Sequence, residues 1–368
     1  MVEVFEKLLE LIHQNQDSVL VTVIESTGST PREKGARMLV TRLGRISGTI
    51  GGGTIEYLAE ELGKICLEEK RSCTKDYNLA PNEVADLGMI CGGQVKVLFQ
   101  YIDPMGKGLV EVLTRIIDLL GSNQQCWLLS SVGEEQEVSF LVLDEDGKWC
   151  GGEIISLNKE NIPKGYSLYQ QPELTASEEL KETESKTITE VNNEKKMMYF
   201  IEEFSRQGKV YIFGGGHVSQ ALVPVLRELD FYCVVLEDRE DFLTEELFST
   251  ANERILVDFK NIEEKVALTE KDFAVVVTRS HQFDYELQKQ LLSTPVYYIG
   301  VMGSKRKTAT QKELLNEEGY SPKDIQRINM PIGVEIKAET LKELAISISA
   351  ELILKRANLN KRNSQKNM

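Results

Sequence analysis

The sequence predicts an α/β protein in two parts: an N-terminal mixed α+β domain over residues 1–205, carrying an internal duplication, and a C-terminal domain over residues 206–357 built on a parallel sheet, with a flexible tail at 358–368. Two observations carry this. In the first part "VEVFEKLLELI" at Val2 returns as "VEVLTRIIDLL" at Val110, "SVLVTVIES" at Ser18 as "CWLLSSVGE" at Cys126, and "LVTRLGRISG" at Leu39 as "LVLDEDGKWCG" at Leu141. Each copy reads helix, strand, strand, with a Gly-containing hairpin between the strands. From Lys209 the pattern changes: "KVYIFGGGH", "FYCVVLEDRE", "DFAVVVTRSH" and "TPVYYIGVMGS" are β-rich runs separated by helical periodicity, as βαβ units require.

Composition bounds the function. The 368 residues are 41% hydrophobic and 27% charged, values of a soluble globular protein, and no apolar run approaches the roughly 20 residues of a membrane helix. At the N-terminus Phe5, Leu8, Leu9 and Ile12 recur at helical spacing among Glu3, Glu6 and Glu10. That is an amphipathic helix and not a signal peptide, so a cytoplasmic location is expected. A net charge of −15 argues against nucleic acid as main partner. The six cysteines are scattered without a C-x-x-C pair and there are three histidines, His13, His217 and His281, which leaves neither zinc spacing nor a disulfide framework.

Chemistry-bearing loops fall in the first copy of the repeat. "TGSTPREKGARM" brings Arg32, Lys34 and Arg37, "GTIGGGTIEY" places Gly51, Gly52 and Gly53 ahead of a helix with Glu56 in its first turns, and "DLGMICGGQVKVLF" sets Cys91 against Gly92 and Gly93. Bare backbone beside the thiol lets a ligand approach the sulfur. The second copy has no equivalent loops and passes through "KENIPKGYSLYQQPELTASEELKETESK", so function is assigned to the first copy.

In the C-terminal part Gly214-x-Gly216-x-x-Ser219 stands between a strand and the helix "VSQALVPVLREL", with Pro224 near its first turns or kinking it. "LEDR" follows about 20 residues on. Strand, glycines, helix and acid form a dinucleotide-type fingerprint, with Asp238 or Glu237 in the ribose-binding position, and make this domain Rossmann-like. His217 and His281, the latter beside Arg279 and Asp284, fall at strand ends, where open α/β sheets bind ligands. Gly303, Ser304, Lys305 and Arg306 open a further helix and form a candidate anion site.

The motifs "GSTPREKGARMLV", "GTIGGGTIE", "DLGMICGG", "VYIFGGGHVSQAL", "TRSHQFDYE", "YIGVMGSKRK" and "MPIGVEIKAETLKELAISISAE" together resemble the xanthine dehydrogenase accessory factor family (XdhC/CoxI). The resemblance implies a maturation factor for a molybdenum hydroxylase, and so a link to purine catabolism. Such a factor binds molybdenum cofactor (molybdopterin), supports its sulfuration and inserts it into the apoenzyme. It implies a cofactor chaperone more than an enzyme, with the apoenzyme and a cysteine desulfurase as partners, no nucleic acid or membrane, and a homodimer. The family's thiol falls on Cys91, with molybdenum held only through the cofactor. Some members carry a second cysteine before the motif glutamate, where this chain has Thr54. Cofactor contacts are expected at Gly52, Gly53, Glu56, Gly92, Gly93, Gly214, Gly216, His217, Asp238, His281, Gly303, Ser304, Lys305 and Arg306. Three other readings compete: an NAD(P)-binding oxidoreductase, a sulfurtransferase with Cys91 as persulfide carrier, and a scaffold that binds no small molecule.

Overall fold

The apolar residues Val4, Phe5, Leu8, Leu11 and Ile12 lie on one side of the helix α1 (Val2–His13) and are buried, as the helical period requires. In the computed structural model, which describes residues 2–79, 93–133, 138–151, 157, 159–170 and 198–366, the chain forms two compact units, Met1–Arg206 and Gln207–Met368. No helix among the described residues is long and apolar enough to cross a membrane.

In the first unit α1 is followed by β1 (Ser18–Thr27), β2 (Arg37–Thr41), β3 (Gly44–Gly48), α2 (Gly53–Glu69), β4 (Cys73–Asn78) and β5 (Gln94–Ile102). Then come α3 (Leu109–Gly121), β6 (Cys126–Ser131), β7 (Phe140–Asp144), β8 (Trp149–Cys150), β9 (Tyr166–Gln170) and β10 (Met198–Phe204). The duplication is visible in the topology. The two antiparallel sheets are ordered β3-β2-β1-β5-β4 and β8-β7-β6-β10-β9, the same order strand for strand. Register agrees too: Ser18 opens β1 opposite Ile102, and Cys126 opens β6 opposite Phe204. Among the described residues α2 has no counterpart in the second copy.

The helices α1 and α3 share a core with Leu20 and Leu39 of the first sheet and with Leu128, Phe140, Val142 and Phe204 of the second. On its other face the first sheet packs Val19, Val21, Val23, Val97 and Phe99 under α2, against Ile55, Ala59, Cys66 and Leu67. The β1 side chains thus alternate between two apolar layers, which explains its nearly unbroken apolar sequence.

Matched register exposes one broken equivalence. Arg37 is paired with Thr22, as Phe140 is with Ser130, and Glu202 lies opposite Leu128, as Gln100 lies opposite Leu20. Arg37 and Glu202 form an ion pair buried between the copies. The equivalent pair, Phe140 and Gln100, cannot, and Gln100 Oε1 is left without a partner. Arg37 therefore does not add charge to the "TGSTPREKGARM" loop, as its place in the sequence suggests. It turns inward as the first residue of β2.

The second unit contains β11 (Lys209–Phe213), α4 (His217–Glu228), β12 (Tyr232–Glu237), β13 (Glu253–Leu256), β14 (Phe273–Val276), α5 (His281–Leu292), β15 (Tyr298–Val301), α6 (Lys305–Glu317), α7 (Pro322–Ile325), β16 (Ile328–Asn329) and α8 (Leu341–Lys366). Its six strands are all parallel, in the order β13-β12-β11-β14-β15-β16. This is the doubly wound dinucleotide-binding order, whose direction reverses between β11 and β14. α4 and α8 cover one face, and α5, α6 and α7 the other. Pro224 sits in the interior of α4 with its ring exposed, so the helix continues past it. α8 also runs on through residues that polarity assigns to a tail, because Leu359 reaches back into the core.

Candidate functional site

Two sets of loops are built to leave backbone accessible. The first opens α2. Gly51, Gly52 and Gly53 all have positive φ (131°, 74° and 61°), a run that side-chain-bearing residues resist. The turn is held from below by Glu56. Its Oε2 accepts from Thr49 Oγ1, from the Ile50 N–H at 3.0 Å and from the Gly52 N–H at 3.1 Å, while Oε1 lies 3.3 Å from Arg45 Nε. Burial pushes the Glu56 carboxyl up, but these hydrogen bonds and Arg45 outweigh it and hold it below its ordinary value. Glu56 is thus a brace for the glycine turn, with its donors already inside the protein.

Removing the brace has a measurable consequence. Glu56→Ala should cost about 1–3 kcal/mol, since half-buried donors lose a charged acceptor. A carboxyl held low in the folded state contributes stability above its ordinary pKa of 4.5, which is lost as pH falls through the folded value. Urea melts should therefore show a constant gap between wild type and variant at neutral pH, narrowing below about pH 4.5.

Gly93 closes the same end of the first sheet. Its carbonyl accepts from the Leu79 N–H at 2.8 Å, and a Cβ added to it would come within 2.6 Å of the carbonyls of Thr27 and Ser29. The bareness at Gly93 therefore serves backbone packing against the "TGSTP" loop, where the sequence suggests ligand space. Cys91 and Gly92 lie outside the described residues.

The second set lies at the carboxyl edge of the parallel sheet. β11 leads into Gly214, Gly216 and His217, β12 into Asp238, β14 into His281, and β15 into Gly303, Ser304, Lys305 and Arg306. Because the strands run parallel, one edge of the second unit collects all of them. His217, His281, Ser304 and Arg306 are exposed.

The helix N-termini at this edge are not equivalent. Ser280 caps α5 by accepting from the Gln282 N–H, and Ser304 caps α6 by accepting from the Lys307 N–H. α4 begins at Gly216 with no side-chain cap, and a Cβ placed there would touch nothing. Of the three, α4 alone presents uncapped N–H groups behind open space, the arrangement that suits an anion. Gly214 and Gly215 are glycine for another reason: a Cβ on either would strike the backbone of Val277 or Phe242.

Around this turn lies an ionic network. The buried Glu237 accepts from the Gly215 N–H at 2.6 Å and from Arg239 Nε at 2.9 Å. Arg279 spans from the end of β14 to grip Asp238 with both terminal nitrogens, which holds the Asp238 carboxyl down at about 2. Arg239 and Arg279 stack on Phe242 and Phe283. Asp284 accepts from the N–H and hydroxyl of Thr278 and pairs with Lys307 Nζ at 2.6 Å. In "GSKRK" Lys307 thus turns inward. Neither its role nor that of Glu237 follows from the motifs alone. The i+3 spacing of Lys307 from Ser304 was the available signal, since it places the side chain over the turn that precedes it.

Residues 11–78 match the family model described as "XdhC and CoxI family", and residues 210–352 that described as "XdhC Rossmann domain". The chain belongs to the XdhC and CoxI family. Between them the two models cover the α2 turn and the whole carboxyl edge, while Cys91 falls between the matched ranges. Similarity to individual proteins runs nearly end to end. A Bacillus subtilis protein named as a probable subunit of xanthine dehydrogenase is 24% identical over 352 residues, covering 95% of this chain and 96% of that protein. "Uncharacterized protein YqeB" of Escherichia coli is 22% identical over 95% of this chain, which spans only 46% of that protein. A crystal structure described as a xanthine dehydrogenase from Bacillus halodurans has a TM-score of 0.68 at 25% identity, covering 96% of both chains.

Proposed function

We propose that this XdhC and CoxI family protein is an accessory factor for a xanthine dehydrogenase-type molybdenum hydroxylase. It binds molybdenum cofactor, supports its sulfuration and inserts it into the apoenzyme, acting in the cytoplasm as a cofactor chaperone with a cysteine desulfurase as sulfur source. The observation that carries the reading is the end-to-end correspondence with two proteins named for xanthine dehydrogenase.

The residues present fit such a cofactor. The open, uncapped start of α4 at Gly216 suits its phosphate, with His217 beside it. Arg306 and His281 add cationic or hydrogen-bonding groups at the same edge. Cys91 supplies a soft thiolate, the ligand type for molybdenum and a carrier of sulfane sulfur. When bound, the cofactor supplies a pterin-dithiolene molybdenum centre. At the carboxyl edge of the second unit the chain's own groups bind its phosphate, and in the first unit Glu56 keeps the glycine turn in shape.

A second reading, NAD(P) binding by the second unit, is favoured by the strand order and glycine turn. Against it, the acids that would take the ribose are engaged: Glu237 by Gly215 and Arg239, Asp238 by Arg279. Parallel titrations with molybdenum cofactor and NAD(P)H separate the two. The proposal expects saturable binding of the first, and binding of NAD(P)H alone contradicts it. Persulfide on Cys91 after incubation with a cysteine desulfurase, read by mass spectrometry, would identify the thiol as the sulfur carrier.

Two glycine substitutions probe the turn. Gly216 has φ −74°, open to alanine, so Gly216→Ala should keep its thermal midpoint yet weaken cofactor binding about tenfold, roughly 1.4 kcal/mol, by filling the phosphate cradle. Gly215→Ala should instead lose about 1–3 kcal/mol of stability by overpacking against Phe242. Calorimetric unfolding and a binding titration on both variants check the contrast.

A further inference from the structure

α8 is apolar on two sides. One side packs Ala345, Ile348, Leu352 and Leu359 into the core of the second unit. The other carries Ile346, Ala350, Ile353, Leu354 and Ala357, spaced i, i+4, i+7, i+8 and i+11, a continuous stripe along about three turns. Ile346, Ile353 and Leu354 are 53%, 40% and 55% exposed, an unusual state for three large aliphatic residues on one ridge. The helix start adds to it. Val334, 42% exposed, is tied to Ser347 by two hydrogen bonds.

We infer that this ridge is the contact surface between two copies of the chain, paired antiparallel about a two-fold axis level with residues 351–352. Two features favour a second copy as the occupant. First, the stripe is self-complementary in that arrangement. Ile346 meets the partner's Ala357, while Ala350 meets the partner's Ile353, large against small at each level, so the helices approach closely. Second, charge is complementary. The start of α8 is acidic, with Glu343 in its first turn and the exposed Glu339 just before it, and its later turns carry the exposed Lys361 and Arg362. Antiparallel pairing brings Glu343 to the level of the partner's Lys361 and sets the helix dipoles head to tail. Parallel pairing would stack like charges in a chain already at −15. Lys355 and Arg356 do not contribute, because they are turned inward onto Asn329 and Leu229.

A single helix ridge is smaller than the interface of an obligate dimer, so the dissociation constant should be on the order of micromolar. The test is the mass of the purified full chain by light scattering or sedimentation, across dilution through that range. Wild type should move from twice the 41.6 kDa chain mass toward the monomer on dilution. Ile346→Glu with Ile353→Glu should be monomeric throughout, with the thermal midpoint of wild type diluted to the monomer, since both side chains are exposed in the single chain. Lys361→Glu with Arg362→Glu should weaken the dimer at low salt and by less at high salt. Mixing Ala350→Cys and Ile353→Cys chains under oxidation should give a 350–353 link between chains. A monomer at every concentration, a dimer indifferent to both pairs of substitutions, or a dominant 350–350 link would each overturn the inference. So would a monomer whose ridge is needed only to bind the client apoenzyme.

Discussion

Cys91→Ser is expected to leave the thermal midpoint within ~2 °C of wild type, the shift that ~0.5 kcal/mol produces, while bound molybdenum and activation of the client apoenzyme fall at least tenfold. The side chain keeps its size, but a soft, ionisable thiol becomes a hard and poorly ionised hydroxyl. A cysteine that merely fills a core would behave in the opposite way, losing stability first and function only through the fold. Cys66, Cys126 and Cys233 are of that kind. Each is fully buried and each thiol is pushed up, Cys66 by its hydrogen bond with Cys73 and by burial, Cys126 and Cys233 by burial to about 12. Cys126→Ser therefore serves as the internal control, destabilised yet unimpaired in cofactor binding per folded molecule.

Arg37→Leu is expected to have the largest effect on stability, a loss of about 3–5 kcal/mol, because it strands Glu202 without its partner inside the protein. Arg37 and Glu202 are 4% and 1% exposed, so solvent cannot compensate. Burial already pushes the Glu202 carboxyl above its ordinary value, and Arg37 opposes that push. Without Arg37 the folded carboxyl rises further. For a group raised in the folded state, stability is fully present below the unfolded pKa and is lost as pH rises through the folded one. The variant should accordingly be least stable at neutral and alkaline pH and recover towards pH 4.5, the ordinary value of the carboxyl. Arg37→Leu with Glu202→Leu should regain most of the loss, since an apolar pair of similar volume needs no partner. Denaturant melts of the three proteins at about pH 5 and about pH 8 give the comparison. An Arg37→Leu protein as stable as wild type under the alkaline condition would show that the ion pair does not join the two copies.

The repeat was legible because its helices and hairpins keep their periodicity: α1 and α3 each bury one apolar stripe, and the two sheets repeat strand order and register. The breaks in the repeat were not legible. Nothing local distinguishes Arg37 from Arg32, although one is buried against a residue 165 positions away and the other is exposed. The parallel sheet could be read from its alternating pattern, except for β13, where Glu253 and Arg254 interrupt the apolar run, and β16, which is two residues long. Among the described motif residues, the turns that open α2, α4 and α6 fall where the sequence places them, but the roles of the atoms within them were not legible. Gly216 is open whereas Gly215 is wedged against Phe242. Gly93 admits neighbouring backbone. Glu56 and Asp284 hold their own turns, and Lys307 faces inward where Arg306 is exposed. Each distinction depends on which side of a turn the chain's other segments approach, which is a property of the tertiary structure.

Whether this chain carries molybdenum cofactor is decided by purifying it anaerobically from cells producing a xanthine dehydrogenase-type enzyme and assaying molybdenum and pterin per chain. Both are expected in equal, near-stoichiometric amounts in the wild-type protein, and neither in Cys91→Ser. Wild-type protein that contains neither, and that takes up neither when incubated with free cofactor, would contradict the proposed role.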